Sequence, residues 1–140
     1  LEGEYEVSSD PARFDRDVFH HWISDLSYWA LGRARETTDK ACESSLVFGA
    51  YLGSGEMIGC ARVVTDRVTF AWLCDVFVDE HDRGGGVGRS LLEGVMNHPG
   101  IAEMKRFVLA TADAHELYEE FGFEPLERPE RWMIRNGTVV

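Results

Sequence analysis

At 140 residues, with 44% hydrophobic and 28% charged side chains, the chain has the length and composition of one folded domain, which excludes a disordered segment and any need for disulfide or metal staples. The formal net charge of −11 excludes nucleic acid as a natural partner, because phosphate binding requires a surplus of Lys and Arg. The same acidity suits a cationic substrate, although it suits plain solubility equally well.

No apolar run approaches the roughly 18 residues of a membrane span, and the first seven residues lack the basic start and apolar stretch of a signal peptide. The three cysteines, Cys42, Cys60 and Cys74, have no CxxC spacing, and two lie in apolar segments, so they read as buried thiols of a reducing compartment. A cytoplasmic protein without membrane contact is expected.

A short strand is predicted at residues 4–7. Asp10-Pro11 then reads as a helix start, with Asp10 as N-cap, and Phe14, Val18, Phe19, Trp22 and Ile23 give that helix one apolar face. After a polar break at Ser24-Asp25, a second helical region is predicted over residues 28–42. The period then changes to that of strands: residues 46–52 and 57–65 form a hairpin around Gly53-Ser54-Gly55-Glu56, and residues 70–78, apolar nearly throughout, form a central strand.

A glycine-rich turn follows, then a helix over residues 88–97 closed by Asn97, Pro99 and Gly100. Residues 107–110 are a short strand. Asp113 and Glu116 have the spacing of a capping box opening a helix that runs to Phe121. Residues 123–126 and 132–135 are predicted as two last strands, for about seven in all. An antiparallel meander followed by a strand–helix–strand crossover makes this a single α/β domain spanning residues 1–140, its mixed, mostly antiparallel sheet flanked by helices.

The sharpest chemical signal is Arg83-Gly84-Gly85-Gly86-Val87-Gly88, lying between a buried strand and a helix. Glycines permit positive φ and a close ligand approach, and the free N–H groups of the helix's first turn point at an anion. Arg83 and Arg89 add positive charge. The arrangement is a diphosphate cradle. The P-loop pattern fails because no Lys precedes Ser90, and the dinucleotide fingerprint fails because Arg89 stands three residues after Gly86.

The turn fits [Gln/Arg]-x-x-Gly-x-[Gly/Ala], and here the chain resembles the GNAT superfamily of acyl-CoA-dependent N-acyltransferases. Downstream, the stretch Thr111-Ala112-Asp113-Ala114-His115-Glu116-Leu117-Tyr118, followed by Phe121-Gly122-Phe123, resembles the family's second hallmark, an Ala and a Tyr four apart followed by Gly-Phe. The resemblance covers most of residues 46–132. Many members carry Asn near position 111, where this chain has Thr111 and Asp113.

The resemblance implies acetyl-CoA as acyl donor. Its pyrophosphate would lie on residues 83–88 with Arg89 and Ser90, and its pantetheine arm along Val76, Phe77 and Val78, with a further polar contact at Asp113. It also implies that Tyr118 protonates the departing thiolate, a task for a hydroxyl that stays protonated at neutral pH. The bland reading of Tyr118 is a core tyrosine beside Leu117 and Phe121. His115, at i, i+3 from Tyr118, could take a proton from the amine or simply face solvent.

Asp75 interrupts an apolar strand. It reads as a general base or substrate counter-charge, or else as an outward-facing carboxylate or one paired with an Arg. Asp25, Tyr28 and Trp29 are candidates for an acceptor site that uses charge and aromatic faces to hold a cation, although an aromatic pair is more often core. His20 and His21 lack acidic partners at ligand spacing, so no metal site is expected.

The implied reaction is acyl transfer, most simply acetyl, to a primary amine of a small cationic molecule such as a metabolite or antibiotic. A backbone N–H near Phe77 or Val78 would stabilise the tetrahedral oxyanion. A protein lysine or Nα-acetyltransferase and a non-catalytic CoA-binding sensor are the alternatives, and a homodimer is compatible with the resemblance.

Overall fold

The apolar runs of the chain's middle pair into one sheet. The computed structural model describes residues 4–137, with strands β1 (Tyr5–Ser8), β2 (Leu46–Leu52), β3 (Met57–Thr65), β4 (Ala71–Val78) and β5 (Phe107–Leu109) in spatial order β1-β2-β3-β4-β5. The first three pairings are antiparallel and the β4–β5 pairing is parallel, so the expected mixed, mostly antiparallel sheet is present. The β2–β3 hairpin has the bounds that the change of hydrophobic period predicts.

Each face of the sheet carries its own core. Helix α3 (Val87–Asn97) sets Leu91, Leu92 and Val95 against Phe48, Ala50, Ile58, Val63 and Leu73. On the other face, helix α1 (Arg16–His20) and the π-helical segment His21–Leu26 set Phe19, Trp22 and Ile23 against Val47, Tyr51, Cys60 and Phe77. Gly59 seats α3 close to β3: a Cβ there would lie 3.0 Å from both Leu91 Cδ1 and Val87 Cγ1. That close approach fixes where the N-terminus of α3 meets the sheet.

Helix starts differ from the sequence expectation. The N-cap of α1 is Asp15, whose carboxylate accepts the N–H of Asp17 and of Val18 at 3.1 Å each. Asp10 closes a turn instead, accepting the Ala12 N–H at 2.9 Å. Both acids suit an N-cap, and the bonds Arg13 N–H to Asp10 O and Phe14 N–H to Pro11 O hold residues 10–14 as a turn. Helix α2 (Arg35–Glu43) begins seven residues later than expected, because Ser27 and Ala34 are extended and Gly32 takes φ +80.

The expected capping box does not form at helix α4 (His115–Glu119). Its N-cap is Ala114, and the Thr111 hydroxyl accepts the Asp113 and Ala114 N–H groups instead, at 3.4 and 3.1 Å. The sheet has five strands among the described residues, not about seven. Residues 123–126 and 132–135 are not in a ladder: β5 is only three residues long, and among the described residues no strand pairs with its outer edge.

Candidate active site

The site is organised by a β-bulge. Cys60 of β3 faces Phe77 and Arg62 faces Cys74, so the single residue Ala61 is opposed by two, Asp75 and Val76. Asp75 takes φ +50, a left-handed conformation rare for a residue with a side chain. The extra residue reverses the inside–outside alternation of β4. Leu73 packs in the α3-side core, whereas Phe77 packs in the other, its ring stacked on Trp22 at 5.5 Å.

The β4–β5 ladder covers Ala71–Leu73 and ends just before the bulge. Beyond it a cleft of about 240 Å³ opens. One wall carries Cys74, Asp75 and Val76, and the other Ala110, Thr111 and Asp113; Tyr28, Trp29, Trp72 and Tyr118 are among the other lining residues.

Asp75 is an anchor here, not a general base. Its Oδ1 accepts the Trp29 indole N–H at 2.7 Å, and its Oδ2 accepts from Arg33 Nη1 at 2.9 Å and Arg62 Nε at 2.8 Å. Arg62 also donates to the Ser45 hydroxyl at 3.0 Å. Burial by itself would raise the carboxyl's pKa, but the Arg33 hydrogen bond and the charges of both arginines outweigh it and hold the group below the usual carboxylate range. A carboxylate saturated by two guanidiniums has little basicity left for an ammonium, and the expectation of a base or counter-charge at Asp75 is corrected accordingly. Of the sequence readings, the Arg-paired one matches the geometry.

The Asp75 cluster also tethers residues 27–34 to the sheet. Tyr28 and Trp29 stand edge to face at 4.9 Å and remain partly exposed at the cleft. The Tyr28 hydroxyl accepts the Ala112 N–H at 3.1 Å and so joins this loop to the far wall. Asp25 is not with them. It is exposed and does not line the cleft; it bonds His21 Nδ1 at 2.8 Å, so His21 does have an acidic partner at i, i+4, contrary to the sequence expectation. Trp72, which sequence reasoning passed over as another apolar strand residue, supplies a third aromatic face.

Tyr118 lines both this cleft and a neighbouring slot beside β5. Burial pushes its phenol above the ordinary value, with Tyr28 and Asp113 adding to the shift, so it stays protonated. His115 lines the slot and not the cleft that holds Tyr28 and Trp29. The shared helix face expected of His115 and Tyr118 does not bring His115 into the cleft.

The glycine turn has the shape an anionic ligand requires. Gly84 and Gly86 take φ +84 and +85, and Gly86 caps α3 without any side-chain hydrogen bond to the helix's first N–H groups. A Cβ at Gly84 would meet nothing within 4 Å, and one at Gly85 or Gly88 nothing closer than 3.8 Å, so the outer face of the turn is open. Arg83 stays at the turn by donating to the Val78 carbonyl at 3.0 Å, its guanidinium 5.1 Å from the Phe77 ring centre. Arg89 pairs with Glu120 of the α4 end at 2.7 Å. The Ser90 hydroxyl is engaged with Tyr5 at 2.9 Å and turns toward β1. Val76 and Val78 are half-buried along the strand that leads from this turn to the cleft. No group of three or more His, Cys, Asp or Glu side chains able to hold a metal ion occurs among the described residues, and no helix there is long and apolar enough to cross a membrane.

Comparison with known proteins agrees with this geometry. A protein of Gibberella zeae designated an acetyltransferase is 32% identical over 83% of this chain and 76% of its own length. A crystal structure assigned to the GNAT acetyltransferases, from Xanthomonas campestris pv. campestris, superposes with a TM-score of 0.93 at 36% identity, covering 98% of this chain and 96% of that one. The GNAT-family acetyltransferase of Elizabethkingia anophelis, solved with acetyl-CoA bound, shares the fold with a TM-score of 0.65 at 20% identity, over 88% of this chain and 78% of its own. Residues 43–125 match the acetyltransferase (GNAT) domain family, and the chain belongs to the GNAT acetyltransferases.

Proposed function

We propose that the protein transfers an acetyl group from acetyl-CoA to the primary amine of a small cationic molecule. The observation that carries this reading is the continuity of three features: the open glycine turn at the head of α3, the half-buried end of β4, and the cleft where β4 leaves β5 at the Asp75 bulge. They make one path from a diphosphate cradle to Tyr118. The Elizabethkingia relative, which binds acetyl-CoA, supports the choice of donor.

In this reading the first-turn N–H groups of α3 and Arg83 hold the pyrophosphate, while Val76, Phe77 and Val78 guide the pantetheine arm. The amine sits against Tyr28, Trp29 and Trp72, with Asp113 as the nearby carboxylate. Having released its proton to water, the neutral amine attacks the thioester carbon and a backbone N–H of the bulged strand end stabilises the oxyanion; Tyr118 protonates the sulfur as the C–S bond breaks, and the proton that the nitrogen sheds returns through water to the Tyr118 oxygen. Much of the acceleration comes from holding both reactants in one cleft. The setting is the cytoplasm, with neither nucleic acid nor membrane as partner. A thiol-release assay with acetyl-CoA against a panel of amines, amino acids and aminoglycoside-type antibiotics tests the proposal. Turnover on a cationic amine is the expected result, and turnover only on peptides would replace the acceptor class.

A further inference from the structure

The cleft at the Asp75 bulge gathers exposed rings. Of the large apolar side chains exposed among the described residues, four are aromatic. Three of them, Tyr28 at 61%, Trp29 at 42% and Trp72 at 43%, line this one cavity. Rings left in water forgo the burial that stabilises them elsewhere, and rings that converge on one cleft mark a place for an apolar ligand.

Two of the rings are held by their polar ends. The Trp29 indole N–H is engaged by Asp75 at 2.7 Å, and the Tyr28 hydroxyl by the Ala112 N–H at 3.1 Å. The pair stand edge to face at 4.9 Å. Trp72 of β4 makes no ring contact and leaves its indole N–H unpaired among the described residues. The cleft therefore has a fixed aromatic corner and one indole free to adjust to a ligand.

Charge is sparse in the same cavity. Its described lining holds two acids, Asp75 and Asp113, and no Lys, Arg or His. Asp75 is saturated by Trp29, Arg33 and Arg62. Asp113 makes no ion pair among the described residues, so it is the carboxylate left there for a cation. A second ammonium would be desolvated without a partner, and a carboxylate on the ligand would meet only Asp113. Leu73, Val76, Leu109 and Ala110 offer contact but no side-chain hydrogen bond. At about 240 Å³ the cleft is smaller than the ~300–1,000 Å³ usual for drug-sized ligands, which suits one ring and a short arm.

We propose that the acceptor is an arylalkylamine, its one aromatic ring seated among Tyr28, Trp29 and Trp72 and its single ammonium, on a short alkyl arm, beside Asp113. Given acetyl transfer, on which this rests, the acceptor narrows from cationic amines in general to monoamines with a flat apolar body. A polyamine or an aminoglycoside brings charges that find no partner in the cleft. An aromatic amino acid brings a carboxylate that Asp113 repels. Tyr118 and Asp113 line the same cavity, so a short arm keeps the nitrogen near the proton donor.

Rates of CoA release from acetyl-CoA with phenethylamine, hexylamine, phenylalanine and spermidine test this. The kcat/KM for phenethylamine should exceed that for hexylamine about three- to tenfold, the weight of aromatic contacts beyond their area. It should exceed those for phenylalanine and spermidine at least about tenfold, since each adds a charge without a partner. Trp72→Leu keeps the apolar bulk and should erase the preference over hexylamine, with KM for acetyl-CoA unchanged. Calorimetry on the CoA-saturated protein reads the site without turnover: phenethylamine should bind wild type at least about tenfold more tightly than Asp113→Asn. A polyamine, amino acid or alkylamine as best substrate would overturn this acceptor and leave acetyl transfer to amines standing. So would a Trp72→Leu enzyme that keeps the aromatic preference, or equal affinity in Asp113→Asn. CoA release with no amine at all would overturn the transferase reading itself, and this acceptor with it.

Discussion

Trp29 donates its indole N–H to Asp75 at 2.7 Å across 46 residues of sequence, and this bond ties one wall of the cleft to the bulge that opens it. Arg33, from the same loop as Trp29, and Arg62 of β3 complete the tie. The position that read as a candidate general base therefore shapes the site, because Trp29 and Arg33 of residues 27–34 are held by its carboxylate.

Asp75→Asn keeps the side chain's size and leaves two guanidiniums around a neutral group. Removing one partner of a buried ion pair costs on the order of 3–5 kcal/mol, and urea denaturation should show a loss of that order. The pH dependence follows from the lowered folded-state pKa. Asp75 contributes its stability above the unfolded value near ~3.9 and loses it as pH falls through the folded value. Wild-type stability should drop steeply below about pH 4, whereas the variant, weaker at neutral pH, should lose less there; identical acid limbs would contradict the anchor role.

Gly86→Asp places a side chain at φ +85 and a negative charge at the mouth of α3. Calorimetry should show acetyl-CoA binding to wild type and at least tenfold weaker binding to the variant, since charge repulsion and backbone strain act together. Equal affinities would move the cofactor site elsewhere.

The meander, the crossover and the glycine turn were legible in the sequence because each is written locally, in hydrophobic period and turn chemistry. The bulge was not. A one-residue register shift leaves no mark in composition, and from sequence Cys74 and Asp75 appear to point to opposite faces. Arg62 was passed over for the same reason, since its meeting with Asp75 depends on how β3 and β4 align. Residues 132–135 have the composition of a strand, but composition does not say whether a sheet edge is there to pair with them. Asp25 was misplaced because nothing in residues 20–27 announces a π-helical turn, which rotates everything after it.

Trp72→Ala removes an aromatic face from the acceptor wall without touching the glycine turn. A lost cation–π and apolar contact of about 1–2 kcal/mol corresponds to roughly a five- to thirtyfold rise in KM for the amine, with KM for acetyl-CoA unchanged. If the preferred acceptors are neutral or anionic, this effect should be absent and the cationic reading fails.

Tyr51 is 1% exposed, and its hydroxyl has no hydrogen-bond partner among the described residues; burial pushes its pKa to about 12. Tyr51→Phe deletes one unsatisfied polar atom and should be neutral or stabilising by up to ~1 kcal/mol. A clear loss in thermal unfolding would show that the hydroxyl is satisfied in solution.

Tyr118→Phe tests the proton donor. The substitution removes one oxygen and keeps the ring contact with Phe123 at 6.0 Å, so folding should hardly change. A general acid acts only as the thiolate leaves, so the loss, commonly about 10²–10⁴-fold, should fall on kcat with acetyl-CoA binding intact. Because burial raises the phenol's pKa, wild-type activity should not decline on its account up to about pH 10, the ordinary tyrosine value. His115 lines the slot and not the cleft, so His115→Ala should leave kcat within about threefold, far below a general-acid effect. The reverse pattern, with His115→Ala inactive and Tyr118→Phe nearly wild type, would transfer the proton to the histidine. Full activity in both would mean that water protonates the thiolate and that the cleft works by positioning alone.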